Sequence, residues 1–142
     1  MNTIICRKLN ENDYDNFHRL INDFRETTFT LQQFQDVFSK INTTSDVIVL
    51  EYNNILIATG TIIYEYKFIF NICCLAHIED VCVKKDMRNM GYGKIIINKL
   101  ITLAKEKKCY KISLDCSDLN CKFYEKCNFE KRGNQMCILL TN

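Results

Sequence analysis

The stretch from Arg88 to Lys94 has the composition of a phosphate-binding loop. It reads Arg-Asn-Met-Gly-Tyr-Gly-Lys and lies between a predicted strand and a long predicted helix. Glycines at 91 and 93 let the backbone approach a ligand, and the first N–H groups of the helix point outward with the positive end of its dipole. The spacing is neither that of a Walker loop nor that of a dinucleotide fingerprint. An ordinary turn before a helix is the alternative interpretation. The predicted pyrophosphate cradle consists of Arg88, Asn89, Met90, Gly91, Tyr92, Gly93 and Lys94.

Three carboxylates and a phenol flank this cradle in the sequence. Glu79 and Asp80 are adjacent in the strand that leads into it, Asp115 ends the next predicted strand, and Tyr124 lies on the short helix that follows. Because neighbouring strand residues point to opposite faces, we expect one of the adjacent acids to face a cleft. Carboxylates can accept a proton and a phenol can donate one, so we predict that these four groups are catalytic. The alternatives are a solvated acidic pair, a helix cap at Asp115 and an ordinary half-buried tyrosine.

The elements that must position these groups are strands and helices in alternation. Apolar residues with helical spacing predict the helices, and β-branched runs bounded by turn residues predict the strands. Strands are expected at 4–9, 47–52, 55–64, 77–83 and 110–116, helices at 14–24, 30–41, 94–107 and 121–126, and a terminal hairpin at 129–140. The order β-α-α-β-β-β-α-β-α-β-β predicts an α/β (α+β) fold, with a mixed sheet packed against helices.

Length and composition limit the class of protein. With 142 residues, 47% of them apolar and 25% charged, the chain predicts a single globular domain over residues 1–142. Nineteen Lys and Arg against seventeen Asp and Glu leave a net charge of +2, which is too balanced to indicate a nucleic-acid or membrane-surface partner. The longest apolar run, at 55–63, is interrupted by polar residues and glycine, and no signal sequence opens the chain. We therefore expect a cytoplasmic protein without a membrane span.

Nine cysteines are many for a chain of this length. Their number is odd, and no two of them have the Cys-x-x-Cys spacing that is typical of zinc and redox motifs. We expect reduced, mostly buried thiols and no metal site. A redox or metal-binding role for the cysteines is a distant alternative.

Two linked motifs carry a family resemblance. Arg-x-x-Gly-x-Gly stands at 88–93 after a predicted strand, and Asn-x-x-Phe-Tyr-Glu-Lys-x-x-Phe stands at 120–129. Together they resemble the GCN5-related N-acetyltransferase (GNAT) superfamily, whose members bind acetyl-CoA on such a loop. Shorter segments at 67–69, 77–81, 109–112, 114–116 and 123–127 are similar to those of the members that acetylate glucosamine 6-phosphate. The resemblance implies a mostly antiparallel sheet flanked by helices, with a splayed central strand pair.

The same resemblance implies roles for individual residues. Beside the cradle, acetyl-CoA would be bound by Val81, Cys82, Val83, Asn120, Tyr124 and Lys126. The amino-sugar phosphate would be bound by Lys67, Glu79, Asp80, Tyr110, Lys111 and Asp115. It further implies a homodimer with shared active sites, direct transfer through a ternary complex, and a place in UDP-N-acetylglucosamine (hexosamine) biosynthesis.

The residue types suit the implied reaction. An amine that attacks a thioester must be neutral and must lose a proton, which Glu79, Asp80 or Asp115 can accept directly or through water. A backbone N–H near Val81 can polarise the thioester carbonyl, and the Tyr124 hydroxyl can hydrogen-bond the departing thiolate. No covalent acyl-enzyme is needed, so no cysteine has to act as a nucleophile.

A few positions depart from the pattern of these relatives. The arginine expected near the C-terminus for the sugar phosphate is replaced by an apolar residue near Leu139, and a histidine is replaced by Phe70. Because a bidentate guanidinium suits a phosphate, we hypothesise that Arg25 or Arg132 takes the missing role. Asn89 stands where glycine is common, a minor change as long as its φ is negative.

Two other functions stay open at this point. One is acetylation of a different primary amine, such as a peptide N-terminus or a polyamine. The other is a CoA-binding module without turnover, in which Tyr124 would have no catalytic role.

Overall fold

Five strands form one sheet whose order follows the sequence. The strands are β1 (Ile4–Lys8), β2 (Ser45–Tyr52), β3 (Ile55–Lys67), β4 (Cys73–Val83) and β5 (Lys111–Leu114). The first four pair antiparallel, and β4 and β5 pair parallel. The computed structural model describes residues 3–140, and over these it confirms the expected mixed, mostly antiparallel sheet.

Four α-helices cover this sheet. They are α1 (Tyr14–Phe24), α2 (Leu31–Ile41), α3 (Tyr92–Glu106) and α4 (Asp118–Glu125), with short 3-10 turns at Glu11–Asp13 and Lys85–Met87. A capping box starts α2: the Gln33 N–H donates to Thr30 Oγ1 at 3.2 Å, and the Thr30 N–H donates to Gln33 Oε1 at 2.8 Å. The capping box satisfies two N–H groups that the helix itself leaves without partners.

Each face of the sheet has its own apolar core. On β2, Ile48 and Leu50 face a cluster formed with α3, whereas Val47 and Val49 face a second cluster formed with α1 and α2. All four side chains are buried. A continuous apolar run, rather than an alternating one, is what a strand covered on both sides requires.

β4 and β5 separate halfway along β4. β5 pairs with β4 only from Leu75 to Ile78, whereas β4 continues to Val83. Within the part of the chain that the structure describes, no strand pairs with the β5-facing edge of β4 beyond Ile78. Backbone groups along that edge are therefore open to a ligand, except the Val83 carbonyl, which accepts a hydrogen bond of 3.1 Å from Arg88 Nε. This separation is the expected splayed strand pair.

A β-bulge lies in β4 just beyond this separation. The register between β3 and β4 shifts there, so that Gly60 of β3 faces both Asp80 and Val81 of β4. Asp80 has a φ of 51°, in the left-handed region. Such a bulge turns the following side chains relative to the sheet. A glycine is needed opposite it, because a Cβ at position 60 would lie 2.6 Å from Ile96 Cγ2 of α3.

Several element bounds differ from the sequence-based expectations. β4 begins at Cys73 rather than at 77, β5 ends at Leu114 rather than at 116, and α3 begins at Tyr92 rather than at 94. α4 begins at Asp118 rather than at 121, because Ser117 takes the N-cap position. These helices start at the residues that follow an extended or left-handed N-cap, which apolar periodicity alone does not reveal.

The expected C-terminal hairpin is wrong. Residues 129–140 contain no strand, and every residue from 130 to 140 is exposed. A strand requires a hydrogen-bonded neighbour, and this segment pairs with no strand described in its own chain. The exposed apolar side chains of the segment are Met136, Ile138, Leu139 and Leu140.

None of the helices within residues 3–140 combines the length and the apolar character that a membrane crossing requires.

Candidate active site

A cleft of about 710 Å³ lies between the open edge of β4, the N-terminus of α3 and one side of α4. Almost all of the residues predicted to bind the cofactor line it. Met90 does not line this cleft, and its side chain is exposed. The predicted residues that line it are Val81, Cys82, Val83, Arg88, Asn89, Gly91, Tyr92, Gly93, Lys94, Asn120, Tyr124 and Lys126.

The loop at one end of this cleft has the geometry of an anion site. Gly91 occupies the N-cap of α3 with a φ of 87°, and no side chain caps the helix. The first N–H groups of α3 therefore face the cleft with the positive end of the helix dipole. Arg88 and Lys94 line the same cleft and add positive charge. This donor set suits a pyrophosphate, and we conclude that the cleft fits a CoA-type ligand.

Two backbone details of the loop depend on particular residues. A Cβ at Gly93 would lie 3.1 Å from Phe123 Cζ, so glycine lets α3 approach α4 closely. Asn89 has a φ of 62°, so the condition of a negative φ, under which its replacement of glycine would be minor, is not met. Asparagine is the residue after glycine that best tolerates this conformation, because its side chain can hydrogen-bond locally.

A second cleft, of about 1010 Å³, lies between the sheet and helices α1 and α2. The aromatic face of the two helices forms one wall, and the bulged part of β4 forms the other. Among the predicted site residues, Arg25, Glu79, Asp80 and Asp115 line this cleft. Aromatic residues of α1 and α2 that pack in the second core cluster thus also line this cleft.

The β-bulge places both adjacent acids in this second cleft. An unbroken strand would direct Glu79 and Asp80 to opposite faces, and that expectation is wrong here because Asp80 adopts a left-handed φ. Burial raises the pKa of Glu79, and the negative charges of Asp80 and Asp115 raise it further. Glu79 is therefore a better proton acceptor than a free carboxylate.

Asp115 is positioned by the C-terminal segment rather than by α4. Its Oδ2 accepts a hydrogen bond of 2.7 Å from Gln135 Nε2. It does not take the alternative role of helix cap, since Ser117 occupies the N-cap position of α4. The carboxylate thus remains directed at the cleft.

The two clefts meet at four residues, Phe24, Val81, Asn120 and Tyr124, which line both of them. Burial raises the pKa of the Tyr124 phenol, and the nearby Cys116, Cys127 and Glu79 raise it further. The phenol is therefore protonated at neutral pH and able to donate. A group bound in one cleft and a group bound in the other can come into contact here.

Three predicted sugar-site residues lie elsewhere. Lys67, Tyr110 and Lys111 line neither cleft, and they cluster at the opposite end of β4. Lys67 Nζ contacts Glu65 Oε1 at 2.7 Å, and the Lys111 ammonium lies 5.6 Å from the centre of the Tyr110 ring. Lys67 pairs with Cys73, six residues before Glu79, a separation of about 20 Å along the strand. Within a single chain, these residues lie away from the acids.

The two arginines considered for the sugar phosphate differ in position. Arg25 lines the second cleft, at the end of α1. Arg132 lies on the exposed C-terminal segment and pairs with Glu130 at 2.8 Å. Leu139 is 85% exposed, and the Phe70 ring packs edge-on against Tyr110. Of the two candidates, Arg25 is the one near the acids.

Sequence analysis missed several residues of the site. Phe24 and Phe123 line the clefts, although their helical spacing predicts ordinary core residues. Asp23 was also missed: its Oδ2 accepts a 2.7 Å hydrogen bond from the Lys85 N–H and so ties α1 to the segment before the cradle. No sequence signal marks Phe24 or Asp23, since their roles depend on contacts between distant segments. Phe123 does belong to the motif at 120–129, but the motif alone gives it no separate role.

The cysteines are all free thiols, but they are not mostly buried. Three are buried, three are intermediate and three are exposed, which corrects that expectation. Over residues 3–140, no three His, Cys, Asp or Glu side chains stand close enough together to hold a metal ion.

Comparisons with known proteins agree with this geometry. Residues 11–129 match the acetyltransferase (GNAT) family. Glucosamine 6-phosphate N-acetyltransferase 1 of Dictyostelium discoideum is 39% identical over 143 residues, which cover 96% of this chain and 91% of the relative. Glucosamine 6-phosphate N-acetyltransferase of Candida albicans is 30% identical over 142 residues, covering 92% and 91%. The crystal structure of glucosamine-6-phosphate N-acetyltransferase from Arabidopsis thaliana superposes with a TM-score of 0.92 at 32% identity, covering 98% of this chain and 99% of that one.

The family match spans most of the chain, and the relatives align with it over nearly its whole length. The residues matched by the family, 11–129, include both sequence motifs and the strands and helices that line the two clefts. The chain therefore belongs to the GNAT family of acetyltransferases, which use acetyl-CoA.

Proposed function

We propose that the protein transfers the acetyl group of acetyl-CoA to the amino group of glucosamine 6-phosphate, by direct transfer in a ternary complex. The observation that carries the proposal is the meeting of two clefts at Tyr124 and Val81, one with an anion-binding helix terminus and one with carboxylates. The names of the relatives in Dictyostelium discoideum and Candida albicans support this acceptor. N-acetylglucosamine 6-phosphate is then the product, which belongs to UDP-N-acetylglucosamine (hexosamine) biosynthesis.

The cleft of about 710 Å³ that contains the loop at 88–94, called the cofactor cleft below, supports acetyl-CoA as the donor. Bound there, acetyl-CoA supplies the acetyl group as an activated thioester. The loop at 88–94 holds the pyrophosphate through the N–H groups of α3 and through Arg88 and Lys94. The open edge of β4 at Val81 and Val83 offers backbone groups to the pantetheine amides. A Val81 N–H that donates to the thioester carbonyl makes its carbon more electrophilic.

The cleft of about 1010 Å³ between the sheet and helices α1 and α2, called the acceptor cleft below, supports proton transfer from the amine. Glu79, with its raised pKa, accepts the proton directly or through water. Asp80 and Asp115 orient the amino sugar and, by their charge, keep the proton affinity of Glu79 high. Tyr124 donates a hydrogen bond to the sulfur as the thiolate leaves, which its protonated state at neutral pH permits. The reaction requires no covalent acyl-enzyme.

Arg25 is the proposed ligand of the sugar phosphate within this protomer. It lies at the rim of the acceptor cleft, where a guanidinium can form two parallel hydrogen bonds to a phosphate. Replacement by alanine is expected to raise the KM for glucosamine 6-phosphate while leaving the KM for acetyl-CoA unchanged. An unchanged KM for the sugar in both Arg25→Ala and Arg132→Ala variants would exclude the two arginines.

We further propose a homodimer in which each active site takes residues from two copies. Lys67 lies about 20 Å along β4 from Glu79, and Tyr110 and Lys111, beside Cys74 and Leu75, lie about 17 and 13 Å from it. These distances are too long for the three residues to serve the acids of their own protomer. The exposed apolar segment near Leu139 supports a contact with a second copy, because such side chains are normally covered. Nine free thiols are typical of a reducing compartment and support a cytoplasmic location.

An acceptor panel tests the proposal. The purified protein is incubated with acetyl-CoA and, in separate reactions, with glucosamine 6-phosphate, glucosamine, a polyamine or a peptide, and the products are measured by mass spectrometry. We expect rapid acetylation of glucosamine 6-phosphate and little of the others. Acetylation of the peptide or the polyamine without turnover of the sugar phosphate would mean a different acceptor. CoA binding without any product would mean a binding module.

A further inference from the structure

Two cysteines stand at the beginning of α4, next to the point where the clefts meet. Cys116 directly precedes the N-cap Ser117, and Cys121 lies one turn into the helix. Their sulfur atoms are 3.8 Å apart, and the Cys121 thiol also lies 3.6 Å from the Ser117 carbonyl oxygen. Cys116 is exposed and lines the acceptor cleft, whereas Cys121 is partly buried and lines neither cleft. The two positions are those of a hydrophobic staple, which sets the angle at which a chain enters its helix.

Residues of the proposed active site flank this thiol pair on both sides. Asp115 immediately precedes Cys116, and Asn120 immediately precedes Cys121. Tyr124 follows one turn later on α4, and Cys116 is close enough to affect its pKa. A covalent bond between the two sulfurs would therefore act directly on the helix start that positions the carboxylate, the amide and the phenol.

We propose that Cys116 and Cys121 form a reversible disulfide that switches off acetyl transfer, a regulation that rests on the function proposed above. The oxidant is a small-molecule disulfide of the glutathione type. One protein thiolate attacks that disulfide, which releases one small thiol and leaves a mixed disulfide. The second protein thiolate then attacks the protein sulfur and releases the other small thiol. The protein loses two protons and two electrons, and the small disulfide is reduced to two thiols.

The bond changes the local geometry by a known amount. A disulfide requires a sulfur–sulfur distance of about 2.05 Å, so the two sulfurs must approach by about 1.8 Å from their separation of 3.8 Å. The ring closes over only six residues, 116–121, so the movement falls on the N-cap and the first turn of α4. A misplacement of about 1 Å can cost on the order of a hundredfold in rate, and we expect a loss of at least about tenfold in kcat.

A second thiol pair gives an internal comparison. Cys74 and Cys109 are closer together, with their sulfurs 3.5 Å apart, but Cys74 is buried. Burial and the neighbouring Cys74 raise the pKa of Cys109 to about 11. Because exchange needs both access and a thiolate, this pair is expected to resist oxidation in the folded protein. Partial burial and Cys121 raise the pKa of Cys116 as well, so oxidation there is expected to accelerate as the pH rises.

The test is oxidation of the whole protein by glutathione disulfide at mildly alkaline pH. Free thiols are blocked by alkylation, and the digested protein is mapped by mass spectrometry while acetylation of glucosamine 6-phosphate is followed in parallel. We expect a peptide in which Cys116 and Cys121 have together lost two hydrogen atoms, and a loss of activity that follows its amount and that dithiothreitol reverses. The matched variants are Cys121→Ser and Cys109→Ser. The first is expected to keep the untreated rate and to form no such peptide, and the second to behave like the wild type.

Three outcomes would overturn this proposal. They are a Cys74–Cys109 disulfide that forms first, no disulfide between Cys116 and Cys121, and a complete disulfide with unchanged acetyl transfer. The peptide map does not depend on catalysis. If the untreated protein acetylates no amine, the proposed function fails while the mapped disulfide still reports on the thiol pair.

Discussion

Gly60→Ala is the substitution whose effect the structure specifies most closely. Gly60 lies where β3 faces the bulge of β4 and where α3 crosses the sheet. A Cβ there would lie 2.6 Å from Ile96 Cγ2, 3.1 Å from Leu100 Cδ1 and 3.3 Å from Val81 Cγ2. Since carbon atoms normally approach no closer than about 3.5 Å, α3 must move away from the sheet by roughly 1 Å.

The size of the effect follows from two opposing contributions. Overpacking a core of this kind costs about 1–3 kcal/mol. Alanine leaves the unfolded chain fewer conformations than glycine does, and this offsets about 0.4–1 kcal/mol of that cost. We therefore expect a loss of about 1–2 kcal/mol in the free energy of unfolding, which corresponds to a fall of roughly 1 M in the urea midpoint for a domain of this size.

Urea denaturation followed by circular dichroism measures this loss, and a second substitution identifies its cause. Ile96→Ala removes the atom that the new methyl group meets, so the two changes together are expected to cost less than the sum of the single changes, by about 1 kcal/mol. Because the N-terminus of α3 is part of the proposed pyrophosphate cradle, the KM for acetyl-CoA should rise in Gly60→Ala. Strict additivity of the two changes, or a Gly60→Ala protein as stable as the wild type, would refute the reasoning.

Three further predictions concern the site and the fold. Tyr124→Phe is expected to lower kcat by about tenfold or more with little change in the KM for acetyl-CoA, because only the hydroxyl is lost; steady-state kinetics decide, and an unchanged kcat contradicts the role of the phenol. Asn89→Ala should cost about 1 kcal/mol in urea denaturation, whereas Asn89→Gly should not, because the φ of 62° is left-handed; equal stabilities would contradict this. Asp13 accepts two hydrogen bonds from Arg7, at 2.7 and 2.8 Å. Burial acts to raise the pKa of Asp13, but these bonds and the positive charge of Arg7 hold that pKa below its ordinary value. The stabilisation of the folded protein by ionised Asp13 is therefore fully present above the unfolded pKa of about 3.9, and it is lost as the pH falls through the lower pKa of the folded state. Asp13→Asn should thus cost about 2 kcal/mol in the free energy of unfolding at neutral pH and progressively less in acid. A cost of Asp13→Asn that is the same at all pH values would contradict that assignment.

Local signals in the sequence mark the loop at 88–94 and the acids, which the structure places along the two clefts. Gly91 and Gly93 with flanking Arg88 and Lys94 form a contiguous motif, and their chemistry depends on backbone within a few residues. The capping box at Thr30 and the unbroken apolar run of β2 are equally local features, because each depends only on residues within one element. For this reason the type and order of the elements up to α4 follow from the sequence.

Features that depend on distant contacts do not follow from the sequence in this way. The bulge at Asp80 depends on Gly60, twenty residues earlier, which leaves room for α3, and only this bulge brings Glu79 and Asp80 into one cleft. Phe24 reaches both clefts because α1 ends beside β4, which its helical spacing alone does not reveal. The segment at 129–140 has strand-like composition, but β-structure needs a neighbour that one protomer does not supply.

The separation of Lys67 and its neighbours from the acids is the most consequential of these distant features. The residues predicted to bind one sugar are separated within one chain, where Lys67 lies about 20 Å and Tyr110 about 17 Å along β4 from Glu79. The proposed dimer accounts for this separation, because a second copy can place its own cluster beside the acids. Sedimentation equilibrium is expected to give twice the mass of the chain, and a monomer at micromolar concentration would contradict the shared site.

The central claim is that the two clefts join acetyl-CoA to a phosphorylated amino sugar, and a competition reaction tests it most directly. Equal concentrations of glucosamine 6-phosphate and glucosamine are mixed with acetyl-CoA and the protein in one tube, and the two products are quantified by mass spectrometry at low conversion. The product ratio then equals the ratio of the two kcat/KM values. We predict that N-acetylglucosamine 6-phosphate predominates by at least about a hundredfold, as a site that binds the phosphate through charged hydrogen bonds requires. Equal amounts of the two products, or neither product, would contradict the account.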